Sequence, residues 1–309
     1  MTIGIPTYNR ANSYLQYSLA SALGQTYPNI EIIVSDNCSP DATREVVLGY
    51  NDERIKYHRH DPPVKPHENA HYCVLNASGE LFLLLHDDDL IDRDFIETCV
   101  NSMSGRNVGL VHTGARTIDH DGNVIRERSN PHGKSTTFEY FNAVLRGKAV
   151  TYFCNTLYKT EYLRSVGGFQ SENFTYQDVA TTLRIVHLYD SCEIEEPKAS
   201  YRIHNSKLGT ASGIAKWCDD SLYLIDLMSE LMPEHRDFFH QQGRTGFSKR
   251  NYHRARRIVK PFLRPYAYFI VYRKLGYSYS PFRFVFRKYI NKLSYVREHL
   301  FNGKKSVPA

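Results

Sequence analysis

Five consecutive apolar residues, Leu81 to Leu85, run straight into His86, Asp87, Asp88 and Asp89. A short unbroken apolar run predicts a strand buried on both faces, as in the middle of a parallel sheet. Three more strands precede it, over Thr2–Pro6, Ile30–Ser35 and Arg54–His58. Between them, Leu15, Leu19, Ala22 and Leu23 mark one face of a helix. Ser39 followed by Pro40 predicts an N-cap and a first-turn proline for a helix that reaches Leu48. Glu68–Ala77 reads as another helix, closed near Gly79. This alternation predicts an α/β fold, a doubly wound and mostly parallel sheet with its polar loops along one edge.

Beyond the acidic cluster, Phe95, Ile96, Cys99, Val100 and Met103 form the buried stripe of a helix over Asp92–Ser104, with Asp92 as its candidate cap. Then the rhythm changes. Val108–Ile118 predicts a strand, and Asp121-Gly122 a hairpin turn before Val124-Ile125. Phe138–Leu145 reads as a helix, Thr151–Tyr158 as a strand, Gln177–His187 as a helix and Cys192–Ile203 as a last extended stretch. Leu222, Ile225, Leu227, Met228 and Leu231 predict a helix that ends at Pro233.

Charge divides the chain. Residues 240–309 hold 17 Lys or Arg and one acid, Glu298, a balance of +16. Residues 1–239 carry 22 bases and 32 acids, a balance of −10. An acidic body with a basic end predicts chemistry in the first part and attachment to something anionic in the second. The expected division is a catalytic domain over 1–213 and a basic helical region over 214–309. The six cysteines are scattered without a C-x-x-C pair, the usage of a reducing cytosol. The first strand begins at Thr2, which leaves no room for a signal peptide. No apolar run approaches the ~20 residues of a membrane-spanning helix.

Three adjacent carboxylates at a strand end repel one another unless a cation sits among them. Oxygen ligands in that number suit Mg²⁺ or Mn²⁺, ions that commonly also hold substrate phosphates. The alternative is a set of solvated acids before a helix, for which one Asp would suffice. No G-x-G-x-x-G or G-x-x-x-x-G-K-[ST] follows any strand, so neither a dinucleotide fingerprint nor a P-loop is present. Any phosphate must be held at the aspartates.

Four stretches stand in order over roughly residues 1–204: Ile5-Pro6-Thr7-Tyr8-Asn9-Arg10, Ser35-Asp36-Asn37-Cys38-Ser39, the acidic cluster, and Gly167-Gly168-Phe169 followed by Gln177-Asp178. Together they resemble the family-2 glycosyltransferases, nucleotide-sugar enzymes of the GT-A fold. The resemblance implies an inverting transfer from a UDP- or dTDP-sugar to a hydroxyl of a glycan or lipid-linked acceptor, in surface polysaccharide assembly. It assigns nucleotide binding to Pro6, Thr7, Tyr8, Asn9, Arg10, Asp36, Asn37 and Asp87. It assigns Mn²⁺ or Mg²⁺ to Asp88, Asp89 and His204, and the general base to Asp178. Two departures stand out: His86 occupies the usual first acid of an Asp-x-Asp pattern, and Gln177 replaces a usual Glu. Which of Asp87 and Asp89 joins Asp88 at the metal stays open at this stage. Asp36, as an acceptor, suits the N3–H of uracil or thymine and would repel cytosine; an Asx turn is its structural alternative. The polar stretch Asn205–Gly213 is a candidate loop to close over the donor.

The basic end interleaves Tyr, Phe, Val and Ile with Arg and Lys around Pro261, Pro265 and Pro281. Rings and long cationic stems suit an anionic bilayer interface, which places the protein in the cytoplasm, peripheral on the inner membrane face. Single-stranded nucleic acid would also take such a surface. A sugar-nucleotide fold ahead of it, and helices in place of sheet strands, speak against that partner. A packed helical region with solvated charges is the third reading.

Overall fold

The computed structural model describes residues 1–130, 136–203, 213–258 and 261–286. In chain order come β1 (Thr2–Thr7), α1 (Leu15–Leu23), β2 (Glu31–Asp36), α2 (Thr43–Leu48), β3 (Ile55–Arg59), α3 (Pro66–Asn76) and β4 (Leu81–Leu84). There follow β5 (Leu90–Ile91), α4 (Phe95–Met103), β6 (Leu110–Ile118), β7 (Val124–Arg128), α5 (Thr137–Leu145), β8 (Thr156–Lys159) and α6 (Thr160–Ser165). The rest comprises α7 (Gln177–Tyr189), β9 (Ser191–Arg202), α8 (Ile214–Leu231), α9 (Arg236–Arg256), α10 (Arg264–Lys274) and α11 (Pro281–Val285).

The strands form one sheet in the order β3-β2-β1-β4-β8-β6-β9-β5, with β7 paired to β6. The first four strands are parallel, as their alternation with helices requires. Past β4 the sheet becomes mixed: β8 is antiparallel to both β4 and β6, while β9 is parallel to β6. In β4, Phe82 and Leu84 join one hydrophobic cluster and Leu83 joins the other, followed by Leu85. The central strand is thus buried on both faces, and the carboxyl ends of β1, β2 and β4 share one edge. Thr7 lies opposite Asp36 in the register, and the Leu85 N–H donates to the Gly4 carbonyl at 2.9 Å.

Three local expectations are corrected. Ser39 does not cap α2: its hydroxyl donates to the Asp36 carboxylate, and the helix starts only at Thr43. Asp41 provides that start, accepting the Thr43 N–H at 3.1 Å. Asp92 does not cap α4 with its side chain, because its carboxylate pairs with Arg116 at 2.9 Å. Thr151–Tyr158 is a strand only from Thr156. The Asn155 carboxamide accepts from the Tyr152 N–H at 2.8 Å and donates to the Val150 carbonyl at 3.0 Å, folding Phe153–Asn155 into a 3₁₀ turn.

The helices after residue 213 share the core of the sheet. Cys218, Leu224, Ile225, Met228, Phe239, Phe247 and Tyr252 belong to the same buried cluster as Phe82, Phe141 and Leu183. A Cβ at Gly246 of α9 would collide with the Leu145 carbonyl at the end of α5, so glycine permits that close crossing. Arg250 turns inward as well, donating to the Val144 carbonyl at 2.7 Å.

Candidate active site

The loop after β1 is fixed from its far side. Asn9 takes a left-handed backbone (φ 57°), and its N–H donates to the Ser39 hydroxyl at 2.8 Å. The Arg10 N–H donates to the Thr43 hydroxyl at 3.1 Å and the Ala11 N–H to Asp41 at 2.9 Å. Pro6 through Arg10 therefore forms one rim with the turn after β2. Tyr8 is exposed on it.

Asp36 is fully buried. Its carboxylate accepts from the Ser39 N–H at 2.9 Å, from the Ser39 hydroxyl, and from the Tyr57 hydroxyl at 2.6 Å. A carboxylate offers about four acceptor positions, and these donors fill three of them. The Asn37 carboxamide is spent on the Val64 backbone, accepting at 2.8 Å and donating at 2.9 Å.

The acidic cluster divides in two. Asp87 faces the β1 loop, accepting from the Thr7 hydroxyl at 2.8 Å, with the Arg10 guanidinium 3.6 Å away. Burial and the neighbouring Asp88 raise its pKa to about 6 against the pull of Arg10. His86, Asp88 and Asp89 gather instead, each with a ligand atom within 4.8 Å of the others. Arg202, nearly buried at the end of β9, sets this turn. Its Nε donates to the Asp88 carbonyl and its backbone N–H to the Asp89 carboxylate, each at 2.9 Å. Two buried carboxylates and an imidazole on a backbone so fixed fit a divalent cation that keeps positions for phosphate and water. His86, a departure from the usual pattern, joins the group directly. His204 and residues 205–212 lie outside the described residues.

Asp178 stands on the first turn of α7, with the Val179 N–H donating to its carboxylate at 2.8 Å. Burial raises its pKa to about 7, against that N–H and the charge of Arg254. A carboxyl poised near neutrality is suited to take a proton at physiological pH. Gly167 and Gly168 both take left-handed backbones, at φ 83° and 75°. They turn the chain so that Phe169 is buried and the Gly168 carbonyl accepts from the Thr181 hydroxyl of α7 at 2.9 Å. The Gly-Gly-Phe stretch thereby holds the helix that presents Asp178.

Sequence reasoning missed Tyr57, Arg202, Asp220 and Arg254. Arg254 of α9 stacks on the Trp217 ring of α8 at 3.8 Å. Asp220, fully buried on α8, accepts from the Ser171 hydroxyl at 2.8 Å and from the Asn173 and Thr175 N–H groups at 2.6 and 2.7 Å. Nothing local in the sequence marks these residues; only the fold brings α8 and α9 to the loop before Asp178.

The profile of the family described as "Glycosyl transferase family 2" matches residues 2–167. An uncharacterized glycosyltransferase of Rickettsia felis is 30% identical over 196 residues, 61% of this chain and 31% of that protein. The chain spans about a third of the length of the rickettsial relatives it matches. The GalNAc(5)-diNAcBac-PP-undecaprenol beta-1,3-glucosyltransferase of Campylobacter jejuni is 34% identical over 133 residues, 42% of each chain. In fold, the chain resembles S. aureus TarS 1-349 in complex with UDP-GlcNAc (TM-score 0.59, 15% identity, 90% of this chain and 88% of that one). It also resembles the mannosyltransferase PcManGT of Pyrobaculum calidifontis in complex with GDP-Man and Mn²⁺ (TM-score 0.54, 18% identity, 97% of this chain and 87% of that one). The sheet with its motif-bearing edge is the GT-A fold, and the chain belongs to glycosyl transferase family 2.

Proposed function

We propose that the protein is an inverting, metal-dependent glycosyltransferase that moves a sugar from a UDP- or dTDP-sugar to a hydroxyl of a glycan or lipid-linked acceptor. The observation that carries this reading is the division of the acidic cluster: Asp87 turns to Thr7 and Arg10, while Asp88 and Asp89 gather with His86. One half suits the nucleotide and the other a cation. Mn²⁺ or Mg²⁺ held by Asp88 and Asp89, with His86, would neutralise charge on the diphosphate as the glycosidic bond breaks. Two proteins of similar fold were solved with UDP-GlcNAc and with GDP-Man and Mn²⁺, which supports a nucleotide-sugar donor.

The chain's own residues then divide the work. The Pro6–Arg10 rim borders the nucleotide, with Tyr8 open to stack on it and Asp36 beneath to accept from a uracil or thymine N3–H. Asp178 takes the proton of the acceptor hydroxyl as the oxygen attacks the anomeric carbon, a contribution of ~10²–10⁴-fold. Attack from the face opposite the leaving diphosphate inverts the anomeric configuration. An undecaprenol-linked substrate in one relative's name supports a lipid-linked acceptor and a place on the inner membrane face. No helix among the described residues is long and apolar enough to cross a membrane. Incubation with a panel of sugar nucleotides and Mn²⁺, with NMR of the product's anomeric configuration, tests this reading. Turnover of no UDP- or dTDP-sugar, or a retained configuration, refutes it.

A further inference from the structure

The basic end of the chain is two structures in one. Its first half is interior: Phe239, Phe247 and Tyr252 are fully buried, Arg250 donates to backbone carbonyls, and Arg254 lies on Trp217. The second half differs. Phe262 (74% exposed), Tyr266, Phe269 and Arg273 follow one another at spacings of four, three and four, one face along and just ahead of α10. Ala267 and Val271 on the same helix are buried, so the aromatic stripe is the outward side. On α11, Phe282 (73% exposed) and Val285 are also outward, beside an exposed Arg283. The two helices meet through Phe284, whose ring lies 6.1 Å from that of Tyr268.

We propose that the outward aromatic face of α10 and α11 is a docking surface for an anionic lipid bilayer. Water-exposed Phe side chains in such number gain nothing in a monomer in solution, and a soluble protein rarely leaves large apolar patches uncovered. The charge selects the occupant. No Asp or Glu lies between Asp237 and Glu298, so every formal charge carried by α10 and α11 themselves is positive. Among the described residues the one acid paired to them, Asp219 of α8, is matched by Lys274 at 2.5 Å. Two copies meeting through this face would bring like charges together, whereas an anionic leaflet is complementary to them. Phe rings then enter the headgroup boundary while Arg273 and Arg283 stay among phosphates. The attachment is confined to residues 262–286 of the described tail; α8 and α9 are the frame that carries it. It deepens the lipid-linked acceptor reading, and its test uses neither donor nor acceptor, so its failure is separable from failure of the transferase reading.

The test is co-sedimentation of the full chain with vesicles of phosphatidylcholine alone or mixed with phosphatidylglycerol. The expected result is binding to the mixed vesicles only. It should weaken with added salt, since screening shortens from ~10 Å at 0.1 M to ~3 Å at 1 M. Phe269→Glu with Phe282→Glu, with an unchanged circular dichroism spectrum, should lower the bound fraction about tenfold or more. Should that variant misfold, Arg273→Gln with Arg283→Gln should lower it in low salt without touching the rings. Wild-type-like binding by a folded variant overturns the proposal. So does the absence of binding by the wild type, or a dimer in sedimentation velocity that the ring variant abolishes.

Discussion

The carboxylate of Asp220 accepts both the backbone N–H of Thr175, at 2.7 Å, and its hydroxyl, at 2.6 Å. Thr175 stands three residues before Asp178, while Asp220 belongs to a helix beyond residue 213. One buried acid on α8 thus holds the loop that leads to the proposed base. Asp220→Ala would leave five donors of Ser171, Asn173 and Thr175 without this acceptor, at a cost of ~2–4 kcal/mol in stability. Thermal unfolding reads that loss. Transfer by the folded fraction should also fall, because α7 no longer starts from a fixed loop. A variant as stable and active as the wild type would show that the clamp is idle.

The same relationship bears on where the chain can be cut. Ending it after Gly213 removes Leu224, Ile225, Phe239 and Phe247 from the cluster that contains Phe141 and Leu183. The shortened chain should expose that cluster, bind a hydrophobic dye and lose cooperative unfolding. A cooperatively folding fragment 1–213 would instead make the C-terminal helices a separable unit.

Asp178→Asn should lower transfer ~10²-fold or more while UDP binding persists, since the amide keeps the shape but takes no proton. In the wild type, transfer should rise with pH to a plateau above about 7, the value to which burial lifts this carboxyl. The stability effect has the opposite sign. An unfolded Asp titrates near ~3.9, so the folded protein holds this proton more tightly. The stabilisation this brings is complete below about pH 4 and is lost as pH rises through about 7. Asp178→Asn should therefore be more stable than the wild type at pH 8, by ~1–3 kcal/mol, with the gap closing toward pH 4 as read by thermal unfolding. An unchanged pH profile of the transfer rate would point to another base.

The grouping of His86, Asp88 and Asp89 predicts metal-dependent donor binding. Calorimetry should show UDP binding at least tenfold weaker in EDTA than with Mn²⁺, a change of about 1.4 kcal/mol or more. Asp88→Asn should reduce the difference between the two conditions. Equal affinity in both for the wild type would remove the cation from the reading.

What could be read from the sequence was periodic. β4 announces itself because Phe82 and Leu84 must fill one layer while Leu83 and Leu85 fill the other. The three aspartates were visible, but which way each points was not. That depends on Arg202, more than a hundred residues away, and on the Thr7 hydroxyl across the sheet edge. Charge misled at α9: a run of Arg reads as a solvated face, yet Arg250 reaches back to carbonyls that end α5. Ser39 misled for the opposite reason, a local one. A carboxylate three residues earlier in the chain captures its hydroxyl, so the expected cap is spent on Asp36.

The last prediction separates two uses of Asp36. Its carboxylate already accepts from Ser39 and Tyr57, which alone would explain a buried acid at the end of β2. If that were its whole role, Asp36→Asn would weaken UDP and CDP equally, by loosening the turn that supports Asn9. A carboxylate that also accepts from the base behaves differently, because N3 carries a hydrogen in uracil and a lone pair in cytosine. The wild type should then prefer UDP over CDP by about tenfold or more, the ~1–2 kcal/mol of one hydrogen bond made against one repelled. In Asp36→Asn the amide can present either its oxygen or its NH₂, so the preference should collapse even where absolute affinity falls. Tyr57→Phe is the control: it removes one donor from the carboxylate at 2.6 Å and leaves the acceptor in place, so discrimination should survive. Affinities for both nucleotides across the three proteins, measured by calorimetry with Mn²⁺ present, decide it. Discrimination retained in Asp36→Asn would assign base reading to another residue of the rim.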